Sequence, residues 1–594
     1  MALLTGFNAR VIKDRSKSII KGLDILFLVV SLGAIASLIA QYGFYLSMTL
    51  ERWFERMDIL IVHYFVLHYI LKLIFVHDRV DYLKKHWFQG VLTLLIISQT
   101  VLIINTLGID LIQNYFSNLN VTAITKLTIV SAQVIILLSV ISAAIRYNRK
   151  IASLKFHPAQ TILLSFLLVI LAGTILLQMP RASASGESID FLDALFTSTS
   201  ATCVTGLIVV DTGSYFSLTG QIIILMLIQI GGLGIMTLSS FLAMFFGQGV
   251  GIRERVLLQE MMNIDRLGMI TKSLRNAVLI TFSFEAIGAF ILFFSWNHPD
   301  WLLGERIYHS VFHSISAFCN AGFSLNSDSL MGYSHNYPVL LTIAALIIFG
   351  GLGFVVIMEL GGARVLSGKK VTKSKKWSVQ TKLVVLITTI LLAGGTIVIF
   401  LLESNSGSPG DRLMQAFFSS VTARTAGFNT VDFARLSMPA TLLILILMFI
   451  GASPGSTGGG IKTTTLGVLF GSLYSIITGQ NKIKMFRRNI SYTVLNRALV
   501  VFAFSITVIA VSTFFLSITE NAEYLDILFE EISAFGTVGL SRGLTPNLSG
   551  WGRFIIILTM FIGRIGPLTL AFAITTPKEN QKIEYPAERN IMVG

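Results

Sequence analysis

Apolar blocks of about 20 residues recur from one end of this 594-residue chain to the other. A helix rises about 1.5 Å per residue, so each block matches the ~30 Å hydrocarbon layer of a bilayer. Charged residues make up only 13 % of the chain, against about 25 % in soluble domains. That excludes a conventional soluble enzyme and points to a polytopic membrane protein.

The net charge of +14 would raise the question of nucleic acid in a soluble protein. Position answers it: 31 of the 45 Lys and Arg residues sit in short stretches between alternate apolar blocks, and the positive-inside rule makes those faces cytoplasmic. The opposite faces carry acids such as Asp193, Asp411, Glu403 and Asp526, either as a field that concentrates cations or as ordinary solvated loops. The basic start followed by the apolar run from Leu23 to Leu46 reads as a retained first span with a cytoplasmic N-terminus. Further runs near 59 to 76, 88 to 107 and 122 to 144 give four candidate helices before residue 150.

From residue 159 one pattern occurs four times: a long apolar run, an acidic stretch, a short half-apolar run ending in a glycine-bearing loop, a second long apolar run and a basic linker. The aligned loop glycines are Gly206, Gly322, Gly427 and Gly539. Each is followed 24 to 28 residues later by another glycine inside the next apolar run: Gly231, Gly350, Gly451 and Gly563. The short runs, about ten residues from Phe191, Arg306, Arg412 and Asp526, cannot span and read as half-membrane pore helices. Non-helical backbone at that depth is tolerated only inside protein or against a water-filled cavity, so four such loops require a shared polar axis.

An extended loop on an aqueous axis offers carbonyl oxygens that replace the hydration shell of a monovalent cation. Glycine lets the chain visit φ > 0 and aim consecutive carbonyls to one side. The expected filter is Cys203, Val204, Thr205 and Gly206; Cys319, Asn320, Ala321 and Gly322; Arg424, Thr425, Ala426 and Gly427; Gly536, Thr537, Val538 and Gly539, with potassium at the four glycines. Cys203 and Cys319 hold one position in two repeats, as small buried thiols behind the loop or, alternatively, a soft-metal site. His309 and His313, four apart, read as core or mouth histidines, with zinc the rival.

The motifs VTGL at Val204 to Leu207, FCNAGF at Phe318 to Phe323, ARTAGFNT at Ala423 to Thr430 and FGTVGL at Phe535 to Leu540 resemble the membrane subunits of the Trk/Ktr/HKT potassium transporters, over roughly residues 155 to 577. The resemblance implies four repeats around one pseudo-fourfold pore, with filter glycines that favour potassium. Members with Ser at the first filter position tend to pass sodium; Gly206 here implies potassium. It also implies a homodimer and a separate cytosolic nucleotide-binding regulatory ring, for which the basic linkers, above all Lys369, Lys370, Lys373, Lys375 and Lys376, are candidate docking surfaces.

Two further stretches match that family. Gly451, Ala452, Ser453, Pro454, Gly455, Ser456, Thr457, Gly458, Gly459 and Gly460, with Lys462, interrupt the third inner helix and look like its intramembrane gating loop. A phosphate-binding loop is disfavoured because Ile461 separates Gly460 from Lys462; a structural kink without gating is the other reading. Arg564, at mid-span, resembles the family's pore-lining arginine, either a barrier to cations below the filter or a packing residue bonded to helix carbonyls. Arg424 would repel an ion if it faced the axis, so it is expected to turn away and pair with Glu530 or Glu531.

The fold class is therefore an all-α integral membrane protein of four outer helix, pore helix, filter loop and inner helix repeats, preceded by four extra transmembrane helices. The expected divisions are a 1–150 extension, repeats at 159–250, 277–365, 383–480 and 494–577, and a 578–594 cytoplasmic tail. The extension weakly resembles a voltage-sensor module, but its fourth apolar stretch has no ladder of arginines, so a structural role is expected. The expected function is potassium uptake across the plasma membrane (the bacterial inner membrane), without enzymatic activity, nucleic acid or any cofactor beyond bound potassium. The rival is a sodium- or proton-coupled symporter with alternating access, against which all four repeats share one orientation.

Overall fold

The computed structural model describes residues 2–107, 158–240, 270–361, 377–403, 408–566 and 569–570, apart from 77, 86, 235, 236, 239, 297, 299 and 481. The expected helix over 122 to 144, the lysine-rich linker from Lys369 to Lys376 and the 578–594 tail lie outside the described residues.

The extension begins with α1 (Ala2–Gly43), α2 (Met48–Phe75), α3 (Arg79–Lys85) and α4 (Trp87–Leu107). Charge inside it is partnered, as a low-dielectric setting requires. Lys72 pairs with Asp24, and buried Asp58 accepts from Ser37 at 2.7 Å and Gln41 at 2.8 Å. Arg181 joins the extension to the rest of the chain by donating to the Gln41 carbonyl at 2.6 Å and lying 5.3 Å from the Tyr45 ring centroid.

The first repeat is α5 (Pro158–Leu177), α6 (Phe191–Cys203) and α7 (Leu218–Leu233). The second is α8 (Ile270–Ser295), α9 (Leu303–Phe318), α10 (Tyr337–Leu352) and α11 (Phe354–Leu360). The third is α12 (Val379–Leu402), α13 (Pro409–Thr422), α14 (Met438–Phe449) and α15 (Thr463–Ile477). A short antiparallel hairpin, β1 (Ile483–Met485) and β2 (Arg488–Ile490), precedes the fourth, which is α16 (Tyr492–Thr519), α17 (Tyr524–Gly536) and α18 (Gly550–Ile565). Among the described residues six helices are long and apolar enough to cross a membrane, or seven if α10 and α11, bent by 104°, count as one.

The pore helices α6, α9, α13 and α17 are 13 to 16 residues long, and three of them start two or three residues earlier than the apolar pattern indicates. Polar caps extend them: Glu305 accepts from the Leu302 amide at 3.0 Å, and Ser408 from the Asp411 amide at 3.2 Å.

Every inner helix breaks, not only the third. Gly234, Gly353 and Gly566 each follow the second-register glycine by three residues and have φ between 80° and 90°. The third repeat replaces this single break with the excursion from Phe449 to Thr463. The second-register glycines have a packing cause. A Cβ at Gly231, Gly350 or Gly563 would overlap the carbonyl oxygen of Thr202, Phe318 or Phe535 at the end of its own repeat's pore helix, so hydrogen alone permits the approach.

The core lies in four seams between successive repeats. Phe216 and Ile224 meet Phe312 and Phe323; Leu340 and Ile343 meet Phe418 and Phe428. Ile444 and Met448 meet Phe529 and Val538, and Ile556 and Met560 return to Phe196 and Cys203 of the first repeat. The fourth repeat thus packs on the first, and the ring closes.

Candidate ion-conduction site

The four glycine-bearing loops converge. The Gly206 Cβ position is occupied by the Ala321 carbonyl oxygen; a Cβ on Gly322 would lie 2.8 Å from the Ala426 oxygen, and one on Gly427 2.7 Å from the Val538 oxygen. The Gly539 position faces the Thr205 oxygen and completes the circuit. Carbonyls of Thr205, Ala321, Ala426 and Val538 therefore each abut the glycine of a neighbouring repeat. All four glycines have φ between 73° and 91°.

Two residues before each glycine the chain turns left-handed at a residue that is not glycine. Val204 (φ 58°), Asn320 (59°), Thr425 (70°) and Thr537 (50°) share this conformation. Each costs about 1–2 kcal/mol relative to ordinary backbone, most clearly at the β-branched positions. The surroundings hold them there. Thr205, Ala321 and Val538 amides bond the carbonyls of Ser200, Ser316 and Ser533 at 2.8 Å, and the Ala426 amide bonds that of Thr422 at 3.0 Å. The same pore-helix hydroxyls brace the loop: Ser200 Oγ donates to the Leu207 carbonyl at 2.7 Å and accepts from the Gly206 amide at 3.1 Å. Ser316 and Thr422 donate to the carbonyls of Phe323 and Phe428, and Ser533 accepts from the Gly539 amide. A hydroxyl five or six residues before each of these glycines is the spacing that marks the brace in the sequence.

Beneath the loops sits the segment between Ile450 and Ile461, whose ends pair as a parallel bridge. It touches three repeats. The Gly459 amide donates to Thr537 Oγ1 at 3.1 Å, Thr457 Oγ1 donates to the Phe318 carbonyl at 3.2 Å, and a Cβ on Gly458 would strike Thr425. The Ser453 amide bonds the Gly351 carbonyl at 3.0 Å, and the Phe354 amide bonds that of Gly455 at 3.0 Å. The left-handed residues thus place Thr425 and Thr537 against this segment. Arg564 donates to the carbonyls of Thr457 and Gly231, and Lys462 Nζ to that of Gly458 at 2.8 Å. Two cationic side chains therefore lie among the carbonyls below the ring.

Arg424 does not pair with a carboxylate as expected. Glu530 is taken by Ser541 (2.5 Å), Thr545 (2.6 Å) and the Arg542 amide (3.0 Å), while Glu531 and the Arg424 Nε have no hydrogen-bond partner among the described residues. Cys203 and Cys319 are buried; the Cys319 thiol lies 3.8 Å from Glu285, a buried acid of α8 that also faces Gln229 at 3.4 Å and that the sequence reading passed over. His313 is buried, with Nδ1 2.8 Å from the His309 carbonyl and Nε2 3.1 Å from Ser324 Oγ. Among the described residues no three His, Cys, Asp or Glu side chains could share a metal.

A polar tie crosses each seam, and two of the four end on an acid. Tyr308 donates to Gln221 at 3.0 Å across the first seam, and Tyr337 to Asp411 at 2.5 Å across the second. Arg542 bonds the Phe433 carbonyl at 3.1 Å and Thr441 at 3.3 Å across the third, and Arg553 pairs with Asp193 across the last. Hydrogen bonds from Tyr337, Ser408 and His335 hold the half-buried Asp411 carboxyl below its ordinary 3.8, at about 2. A depressed folded-state value means this tie is at full strength above the unfolded value and is lost as pH falls through about 2. The melting temperature of the purified protein is expected to exceed that of Asp411→Asn by a constant margin above about pH 5, and the margin to vanish toward pH 2; a margin independent of pH would count against the tie.

Four loops whose backbone carbonyls and glycines meet in one closed ring, inside a bundle of apolar spans, mark a multi-pass membrane protein. A family model described as TrkH, cation transport protein, matches residues 127–583, and the chain belongs to that family. It is 41 % identical over 445 residues to Ktr system potassium uptake protein B of Bacillus subtilis, covering 74 % of this chain and 97 % of that protein. It is 37 % identical over 452 residues to the potassium/sodium uptake protein NtpJ of Enterococcus hirae, covering 74 % and 98 %. The crystal structure of the potassium transporter TrkH from Vibrio parahaemolyticus shares the fold, with a TM-score of 0.58 at 19 % identity over 83 % of this chain and 98 % of that one.

Proposed function

We propose that this chain takes up potassium through a channel-like pore. Residues 203–206, 319–322, 424–427 and 536–539 form the filter, and 451–460 with Lys462 and Arg564 form an intramembrane gate. The ring of carbonyls against glycines carries this reading: it can replace water around a monovalent ion without any side-chain ligand. Relatives named for potassium uptake support the choice of ion. The protein acts in the plasma membrane with its N-terminus in the cytoplasm, as a homodimer regulated by a separate nucleotide-binding ring, and its only bound cofactor is the transported potassium.

The test is rubidium and sodium uptake into vesicles holding the purified protein, with and without an imposed proton gradient. Rubidium uptake that exceeds sodium uptake and is indifferent to the proton gradient is expected. Uptake that requires a proton or sodium gradient would replace the pore with a symporter.

A further inference from the structure

A cavity of about 550 Å³ opens beside the intramembrane segment and is not explained by conduction. Pro454 of that segment is part of its lining. One wall is the start of α12, with Val379 and Leu383, and a second is α15, with Thr464, Thr465 and Val468. The remaining side is the end of the hairpin and the first turns of α16, with Asn489, Ser491, Val494 and Arg497. α12 and α16 are both spans, so the cavity lies where two lipid-facing helices reach the membrane surface. Its volume falls in the range of small-molecule sites.

The chemistry of this place has one sign. No Asp or Glu occurs between Asp432 and Glu520, whereas Lys482, Lys484, Arg487, Arg488 and Arg497 cluster at and around the hairpin. The positive-inside rule puts that cluster on the cytoplasmic leaflet, where anionic lipids attract basic residues. The hairpin packs against α15. Ile483 is buried, Met485 packs where a Cβ on Gly471 would stand, and the two turn residues Phe486 (φ 47°) and Arg487 (φ 64°) both adopt left-handed backbone without being glycine. Lys382 of α12 lies 5.8 Å from the Phe486 ring centroid, joining hairpin to helix. Strained turns persist where surrounding contacts fix them and a function uses them. Here the turn presents an exposed aromatic ring and basic groups just before the span α16, on the side the positive-inside rule makes cytoplasmic. Arg497 is exposed and makes no ion pair among the described residues.

We propose that this cavity binds one anionic phospholipid, its phosphate on Arg497 and the polar groups of Asn489 and Ser491, its acyl chain between α12 and α16 against Pro454. With the chain in place, the segment 451–460 has no room to withdraw toward the cavity, so the lipid is a brake on the pore. The brake rests on the reading of 451–460 as the gate; the lipid site does not.

Native mass spectrometry of the full-length protein in detergent, titrated with phosphatidylglycerol or phosphatidylcholine, tests the site. Wild type should retain phosphatidylglycerol in preference, and Arg497→Gln should weaken that retention about fivefold, the worth of one basic residue near an anionic lipid. Val468→Trp, which fills the cavity, should abolish it, and Lys484→Gln, in the basic cluster but outside the lining, should weaken it less than Arg497→Gln does. Equal retention of the two lipids, or equal loss with Lys484→Gln, overturns the site. For the brake, rubidium uptake should be slower in vesicles containing phosphatidylglycerol than in phosphatidylcholine alone, and Val468→Trp should remove the difference. Equal or faster uptake with the anionic lipid overturns the brake. Arg564→Ala, which unfastens the segment and leaves the lining intact, separates the two ideas: if it keeps the lipid but gains no flux, the gate reading fails and the lipid site stands.

Discussion

Gly206→Ser is expected to cut the preference for rubidium over sodium by about tenfold or more, equivalent to about 1.4 kcal/mol of lost discrimination. Two costs act at once. Serine at φ +90° is strained by roughly 1–2 kcal/mol. Its Cβ would also occupy the place of the Ala321 carbonyl oxygen and crowd the Gly322 Cα, 3.1 Å away. The chain relieves both by moving the second loop, so one substitution displaces carbonyls in two repeats. Because the abutment runs around the ring, the same change at Gly322, Gly427 or Gly539 should have a comparable effect. The check is the ratio of rubidium to sodium uptake in vesicles, and an unchanged ratio would remove the filter assignment.

Arg564→Ala is expected to raise flux by about tenfold or more. A unit charge about 8 Å from a permeating cation at an effective dielectric near 20 opposes it by about 2 kcal/mol, and about 1.4 kcal/mol is a factor of ten in rate. The same guanidinium bonds Thr457 of the intramembrane segment and Gly231 of the first repeat, so its loss also unfastens that segment. Arg564→Lys keeps the charge and loses the two-point bond; flux near wild type identifies the charge as the barrier, and flux near that of the alanine variant identifies the latch. Removing 453–458 is expected to raise flux as well. The cut is feasible because the ends already meet: the Ala452 amide bonds the Gly459 carbonyl at 3.3 Å. Equal or lower flux in both variants would leave these residues with packing alone.

The repeats and both glycine registers could be read from the sequence because a backbone requirement with no side-chain substitute leaves glycine in place at every copy. The braces behind the loops carried a signal too, Ser200, Ser316, Thr422 and Ser533 at nearly constant spacing, hidden among the many Ser and Thr of the pore helices. The left-handed residues were not readable, since Val204, Asn320, Thr425 and Thr537 share a conformation and no chemistry. Nor were the seam ties, which use a different pair of side chains at every seam. The partner assigned to Arg424, Glu530 or Glu531 of the fourth pore helix, failed for a related reason: Ser541 and Thr545, which follow that helix's own loop, bond the Glu530 carboxylate, and Glu531 makes no hydrogen bond among the described residues.

The pairing of Arg553 with Asp193 joins residues 360 positions apart. A chain inserted from its N-terminus must therefore hold three repeats in the bilayer as an open arc, with the amides and carbonyls of three loops unsealed on one flank, until the last hundred residues arrive. Truncation anywhere before α18 should leave not a weaker pore but an unfinished one, exposed to quality-control proteolysis, and biogenesis of the whole molecule is timed by its final helix.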